Sequence, residues 1–157
     1  MNCIACGGAA NKVTESRGGR YRNERVKVES EFFRCQECKE AFFSPAQAAA
    51  HNRAVKNEVR KKYGLLPPEK IVEIRSKLGL TQEELEELLG TGPKVVVRWE
   101  SGKVIQGGGQ DNLLRLLDRD PALLESLRQI QRVRSAEREK YQRRNASDRK
   151  EMIAQAV

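Results

Sequence analysis

The sequence predicts an α+β protein in two unlike parts: a small β-rich N-terminal domain with one helix, then an all-α domain of about five helices. Three observations carry this. All four cysteines fall into two Cys-x-x-Cys pairs, Cys3/Cys6 and Cys35/Cys38, with 28 residues between the pairs. Between them Val26 and Val28 alternate with Lys27 and Glu29 and lead to Phe32 and Phe33, the period of a strand. Beyond Pro67-Pro68 the apolar residues recur at three and four, the period of a helix.

Four thiolates on two such turns can close around one metal ion, and a single tetrahedral zinc is the expectation. Its shell would leave no position for water or substrate, so the metal is structural. Two disulfides fit less well, because close-set pairs are a metal pattern and a reducing compartment opposes them. The alternative is iron held as in rubredoxin, which uses the same two turns. In this first domain, residues 1–66, Gly18-Gly19 is read as a turn after Lys12-Val13-Thr14-Glu15, making a hairpin or small sheet. Ser44-Pro45-Ala46-Gln47 supplies a capping hydroxyl, a proline at the first helical position and a glutamine at the third. A helix is therefore expected over 45–63, ended by Gly64. Val55, Val59 and Tyr63 lie on its apolar stripe, and Lys56, Arg60 and Lys61 lie off it. The lone histidine, His51, has no motif around it and reads as a surface residue rather than a fifth ligand or a base.

Leu65-Leu66-Pro67-Pro68 marks the boundary with a second domain, residues 67–127. A helix from Pro68 to about Leu78 has Ile71, Ile74 and Leu78 on one face and stops at Gly79. Thr81-Gln82-Glu83-Glu84 is a capping box, opening a helix whose Leu85, Leu88 and Leu89 turn inward. Glu83, Glu84, Glu86 and Glu87 read as one capping residue and a solvated face, not an acidic catalytic cluster. After Gly90-Thr91-Gly92, Pro93 is expected to begin a third helix that runs to about Ser101, with Gly102 as terminator. Gly107-Gly108-Gly109 reads as a loop. Leu113, Leu114, Leu116 and Leu117 then mark a fourth helix, and Asp120-Pro121 opens a fifth with Leu124, Leu127 and Ile130.

Two short helices around a glycine-containing turn form the helix-turn-helix pattern. The run LGLTQEELEELLGTGPKVVVRWESGKV resembles the Xre/Cro type of that domain, with Arg98-Trp99-Glu100-Ser101-Gly102 at the end of the recognition helix. Helical spacing puts Val96 and Trp99 inward and Lys94, Val95 and Arg98 outward. Lys94 in the first turn and Arg98 one turn later are the expected base contacts, Arg98 by two hydrogen bonds to guanine. Val95 or Val97 would meet a thymine methyl. Gln82 and Lys103 are the further candidates for contacts to DNA.

The net charge of +8 calls for an anionic partner, but it is unevenly placed. Lys and Arg number 13 against 7 Asp and Glu in residues 1–66, 8 against 11 in 67–127 and 9 against 4 in 128–157. The segment expected to read DNA is therefore acidic overall, and affinity needs help from basic segments or dimerisation. The tail, 128–157, is charged and poor in large apolar residues, which suits a solvated helix or a flexible arm. No apolar run approaches the ~20 residues of a membrane span, and the first residues lack a secretory pattern, so the cytoplasm is the expected location.

Four cysteines in front of this helix-turn-helix resemble the MqsA family of antitoxins, with a YgiT-type zinc finger first. MNCIACGG, CQEC, the helix after it, and KIVEIRSKLGLTQEELEELLG through LLRLLDRDPALLESLR carry the likeness. The resemblance implies one structural zinc and an N-terminal domain that grips a small ribonuclease toxin. It also implies a homodimer through the C-terminal domain that represses its own operon at a palindromic duplex operator. The family's recognition helix carries Asn and Arg four residues apart; Arg98 matches, whereas Lys94 stands in place of Asn and should alter the operator. The reading is a non-enzymatic antitoxin and repressor. Its alternatives are a zinc-containing helix-turn-helix regulator without a toxin and an iron redox module fused to a DNA-binding domain.

Overall fold

The computed structural model describes the backbone of residues 1–155 and the side chains of residues 1–146. The element order is β1 (Ala10–Tyr21), β2 (Glu24–Cys35), β3 (Ala41–Phe42), α1 (Pro45–Lys62), α2 (Pro68–Lys77), α3 (Gln82–Leu89), α4 (Val95–Glu100), α5 (Gly108–Arg119) and α6 (Leu123–Gln155). The expected order, a small sheet with one helix and then five more helices, is what the chain adopts. It falls into two compact units: Met1–Val72 with Val97–Asp111, and Glu73–Val96 with the chain from Asn112 onward.

In the first unit the strands form an antiparallel sheet in the order β1-β2-β3. The register pairs Ala10 with Cys35 and Tyr21 with Glu24, so the hairpin turns at Arg22-Asn23. Gly18-Gly19 is thus not the turn; both lie inside β1, opposite Lys27 and Val26. The reason for Gly19 is packing rather than a bend. A Cβ there would stand 2.1 Å from Val55 Cγ2 and 3.2 Å from His51 Nε2, so the bare backbone lets α1 lie close against the sheet. Arg22 takes the left-handed conformation that the two-residue connection needs.

One face of β2 buries Val28, Ser30 and Phe32, and α1 packs there with Val55 and Val59 buried. The helix opens as its sequence demands. Ser44 Oγ accepts from the Gln47 N–H while the Gln47 side chain accepts from the Ser44 N–H. Tyr63 and the left-handed Gly64 close it.

Two polar residues depart from the exposure their spacing suggests. Arg60, off the apolar stripe, is 2% exposed: it donates to Asn57 Oδ1 at 3.0 Å and to the Val104 carbonyl at 2.9 Å. His51 is half-buried, with Nδ1 2.7 Å from Ser30 Oγ and its ring 5.0 Å from that of Phe43. It is a polar tie between helix and sheet, not an ordinary surface histidine. Residues 97–111 join this unit through the Arg60 bond and through Tyr21, whose hydroxyl accepts from the Ile105 N–H at 3.3 Å. Buried Gln106 and Asp111 close the same region, since Asp111 Oδ1 accepts from the Leu66 N–H at 2.8 Å and Gln106 Nε2 donates to Leu66 O at 2.7 Å.

In the second unit Ile74, Leu80, Leu85, Leu88, Leu89, Val96, Leu114 and Leu117 are buried. Thr81 and Glu84 form the capping box of α3, and Gly90 ends it in the left-handed conformation. Two of the three glycines read as a loop, Gly108 and Gly109, instead form the first turn of α5. The helix opened by Asp120-Pro121 continues without a break, so the tail is part of α6 and not a separate flexible arm; its last two residues lie outside the described residues.

Candidate functional site

The sheet brings the two cysteine pairs together. Ala10 and Cys35 are register partners, and the Gln36 N–H donates to the Ala9 carbonyl at 2.9 Å, which sets the first knuckle beside the second. Each knuckle then turns on a left-handed residue just after its second cysteine, Gly7 and Lys39. Gly7 supplies that conformation without steric cost; Lys39 carries a Cβ and holds it by donating Nζ to the Gln36 carbonyl at 2.6 Å. Cys3 and Cys35 are buried beside Ala10, Phe42 and Phe33, while Cys6 and Cys38 are exposed.

The four sulfurs lie within 4.8 Å of one another. Cys3 Sγ is 3.6 Å from Cys38 Sγ, and Cys6 Sγ is 3.5 Å from both Cys35 and Cys38. Disulfide sulfurs would be ~2.05 Å apart, whereas a tetrahedron of ~2.3 Å metal–sulfur bonds has edges of about 3.8 Å. The donor set therefore fits one ion and not two bridges. His51 is not among these ligands.

The thiols are electrostatically frustrated without a cation. Cys35 is lowered to about 7, first by the Cys38 N–H, with the Glu37 N–H and the neighbouring sulfurs helping against burial. Cys38 is pushed up to about 12: the Glu40 N–H works to lower it, but Cys6, burial, Cys3 and Cys35 prevail. Cys6 is also raised, because Cys35, burial and Cys3 together outweigh the Gly8 N–H and Cys38. Four thiolates this close cannot all be ionised unless a cation offsets their charge, and metal binding would release their protons.

The residues expected to contact DNA lie around α4. Lys94 and Arg98 are exposed, Val95 is half-buried, and Val96 and Trp99 are buried, which matches the helical spacing. Val97 and Lys103 are exposed, and Gln82 is half-buried at the first position of α3. The helix itself starts two residues later than expected, at Val95 instead of Pro93. Lys94 therefore precedes the helix, in the left-handed conformation with φ 60°.

Glu86 is the physical reason. It is 6% exposed, and its carboxylate accepts from the Lys94 N–H at 3.0 Å through Oε2 and from the Val96 N–H at 2.9 Å through Oε1. It caps α4 from α3, where helical spacing alone puts it on a solvated face. Glu84 is the capping residue of α3 that the Thr81–Glu84 pattern predicts.

A four-cysteine cluster that could hold a metal ion, followed by a capped helix, a turn and a second short helix, defines a protein of the helix-turn-helix class with an N-terminal cysteine-knuckle domain. Residues 1–128 match the family described as the antitoxin component of bacterial toxin-antitoxin systems, MqsA, and the chain belongs to that family. It is also 34% identical over 95 residues to Antitoxin MqsA of Escherichia coli (strain K12), a match covering 60% of this chain and 72% of that protein. The chain is thus an antitoxin of a toxin-antitoxin system. Among the described residues no helix is long and apolar enough to cross a membrane.

Proposed function

We propose that this antitoxin neutralises a small ribonuclease toxin by binding it through residues 1–66 and represses its own operon through residues 67–127. The metal is zinc, one per chain and structural; the chain is cytoplasmic and performs no catalysis. It acts as a homodimer through the C-terminal domain on a palindromic duplex, which would present two copies of α4 to two half-sites. Arg98 reads guanine in the major groove, Val95 meets a thymine methyl, and Lys94, Gln82 and Lys103 hold the backbone or neighbouring base edges.

The observation that carries this is the exposed Arg98, one turn into a short helix whose start is fixed by a buried carboxylate, in a chain of this family. A base-reading guanidinium must sit on a rigid, correctly begun helix, and Glu86 provides that start. The left-handed Lys94 favours a role in backbone positioning over base reading, since its side chain leaves from the turn and not from the helix.

The test is binding of the purified protein to duplex from upstream of its own gene. Arg98→Ala should cost ~1–3 kcal/mol of specific affinity with the fold intact; equal affinity would remove Arg98 from that role. Co-expression with a small neighbouring gene product, scored for rescued growth and a purified complex, tests the toxin. A repressor that binds DNA but has no such partner is the outcome that would favour the regulator reading. Metal analysis giving iron with its absorption band, and no zinc, would overturn the zinc assignment.

A further inference from the structure

The family match ends at residue 128, yet α6 continues to Gln155. At 33 residues it is about 50 Å long. Between Arg128 and Arg144 it carries seven cations, Arg128, Arg132, Arg134, Arg138, Lys140, Arg143 and Arg144, against two acids, Glu137 and Glu139. From Arg128 it is polar nearly all round, and Ile130, Val133 and Tyr141 stay exposed, so among the described residues no core face accounts for its length.

The arrangement of charge is not that of a helix built only to be soluble. Such a helix places an acid four residues before a base, and here that happens once among the described residues, at Glu139 and Arg143, 3.7 Å apart. Arg128 and Arg132 share Glu125 at 3.9 and 3.6 Å. Arg134/Arg138 and Lys140/Arg144 are instead like-charge pairs at the same spacing, with no ion pair at any of the four among the described residues. Each such pair works against the helix unless an anion lies over it. At 100° per residue the two pairs form two stripes about 120° apart, as a rod lying between two rows of phosphates would need.

The start of this run is fixed beside the turn that precedes the recognition helix. Gln131 Nε2 donates to the Leu88 carbonyl of α3 at 3.1 Å. Arg134 Nη1 lies 3.7 Å from the place a Cβ would take on Gly90, the cap of α3. Residues 67–127 carry 8 Lys and Arg against 11 Asp and Glu, so beyond Lys94, Arg98 and Lys103 they offer little charge to neutralise phosphates, whereas the basic run begins beside the cap of α3.

We propose that Arg134, Arg138, Lys140 and Arg144 of α6 form a second, sequence-independent DNA contact that grips the phosphate backbone of the duplex. The proposal rests on the DNA-binding reading of the helix-turn-helix. Phosphate contacts release counterions, with a slope of about −0.9 per contact in log affinity against log salt, so a fourfold rise in salt costs ~3.5-fold per contact. Four contacts would make that cost about 150-fold.

The experiment compares the full chain with a variant carrying Arg134→Gln, Arg138→Gln, Lys140→Gln and Arg144→Gln, both metal-loaded. Affinities are measured for the upstream duplex and a scrambled duplex between 50 and 200 mM salt. Glutamine keeps helix propensity and removes like-charge repulsion, so helical circular dichroism should not fall. The expected result is a salt slope reduced by between 2 and 4 on both duplexes, with the preference for the upstream sequence retained. A slope changed by less than 1 would overturn the proposal, as would an unchanged slope accompanied by lost binding to anionic vesicles or single-stranded RNA. Arg98→Ala separates the two readings, because it should cut the sequence preference by roughly 5- to 150-fold and leave most of the slope. If the full chain binds neither duplex, the DNA-binding reading itself fails.

Discussion

Removing Glu86 should unfasten the start of α4. Two backbone donors, the Lys94 and Val96 N–H groups, end on this one carboxylate, and Val96 has no exposed surface through which water could replace it. A hydrogen bond to a charged group contributes ~1.5–3 kcal/mol, and a buried donor left unpaired costs ~1–3 kcal/mol. Against this stands the desolvation of the carboxylate itself, which Glu86→Ala relieves. The net expectation for Glu86→Ala is a loss of about 2–4 kcal/mol. Glu86→Gln should lose about half of that, because its amide oxygen still accepts one N–H while its NH2 faces the other. Glu83→Ala, at an exposed position in the same helix, is the control and should stay within ~0.5 kcal/mol. Urea unfolding of the metal-loaded protein, followed by tryptophan fluorescence from Trp99 and by circular dichroism, reads all three. If Glu86→Ala unfolds at the same urea concentration as Glu83→Ala, the cap does not hold α4 and the late start at Val95 needs another cause.

Gly19→Ala should destabilise the first unit by ~1–3 kcal/mol, because its Cβ meets Val55 Cγ2, and adding Val55→Ala should recover part of the loss in the same unfolding assay. Lys94→Gly should raise stability by ~1 kcal/mol by relieving the left-handed lysine, while weakening binding to duplex DNA. Cys35→Ser should abolish stoichiometric metal binding and remove the cooperative unfolding of the N-terminal sheet, as should a strong chelator with the wild-type chain. His51 is held below the ordinary histidine range, first by desolvation and then by Arg17. The unfolded chain therefore binds a proton more readily, and this contribution is present above about pH 6.5 and lost as pH falls toward the folded value. Thiolate protonation also weakens the fold in acid, so the quantity to compare is the slope of stability against pH in wild type and His51→Gln; equal slopes below pH 6.5 would refute it.

Local chemistry made most of the elements legible. Ser44 with Gln47 and Thr81 with Glu84 are capping boxes whose two bonds lie within four residues, and both form as their sequences require. The cysteine pairs were equally readable, because two short turns with fixed spacing leave few arrangements other than one cluster. What sequence could not show was what tertiary neighbours do with polar residues. Glu86, Arg60 and His51 all sit at positions where helical spacing alone suggests solvent. Each is instead drawn inward by a backbone donor, a backbone carbonyl or a buried hydroxyl contributed from 10, 44 or 21 residues away. Gly18-Gly19 misled for a related reason: a glycine pair signals a turn from its own backbone freedom, but Gly19 is needed for the approach of Val55. Of these three polar residues, Glu86 bears most directly on the proposed function, because it decides where α4 begins and hence which side chains the helix itself presents. That places Arg98 on the helix and Lys94 before it, so the lysine in the family's asparagine position differs in backbone setting as well as in side chain. If the helix reads DNA as proposed, the expected operator keeps guanine opposite Arg98 and carries no base preference set by residue 94; a preference that changes with Lys94→Asn in a duplex-binding selection would refute this.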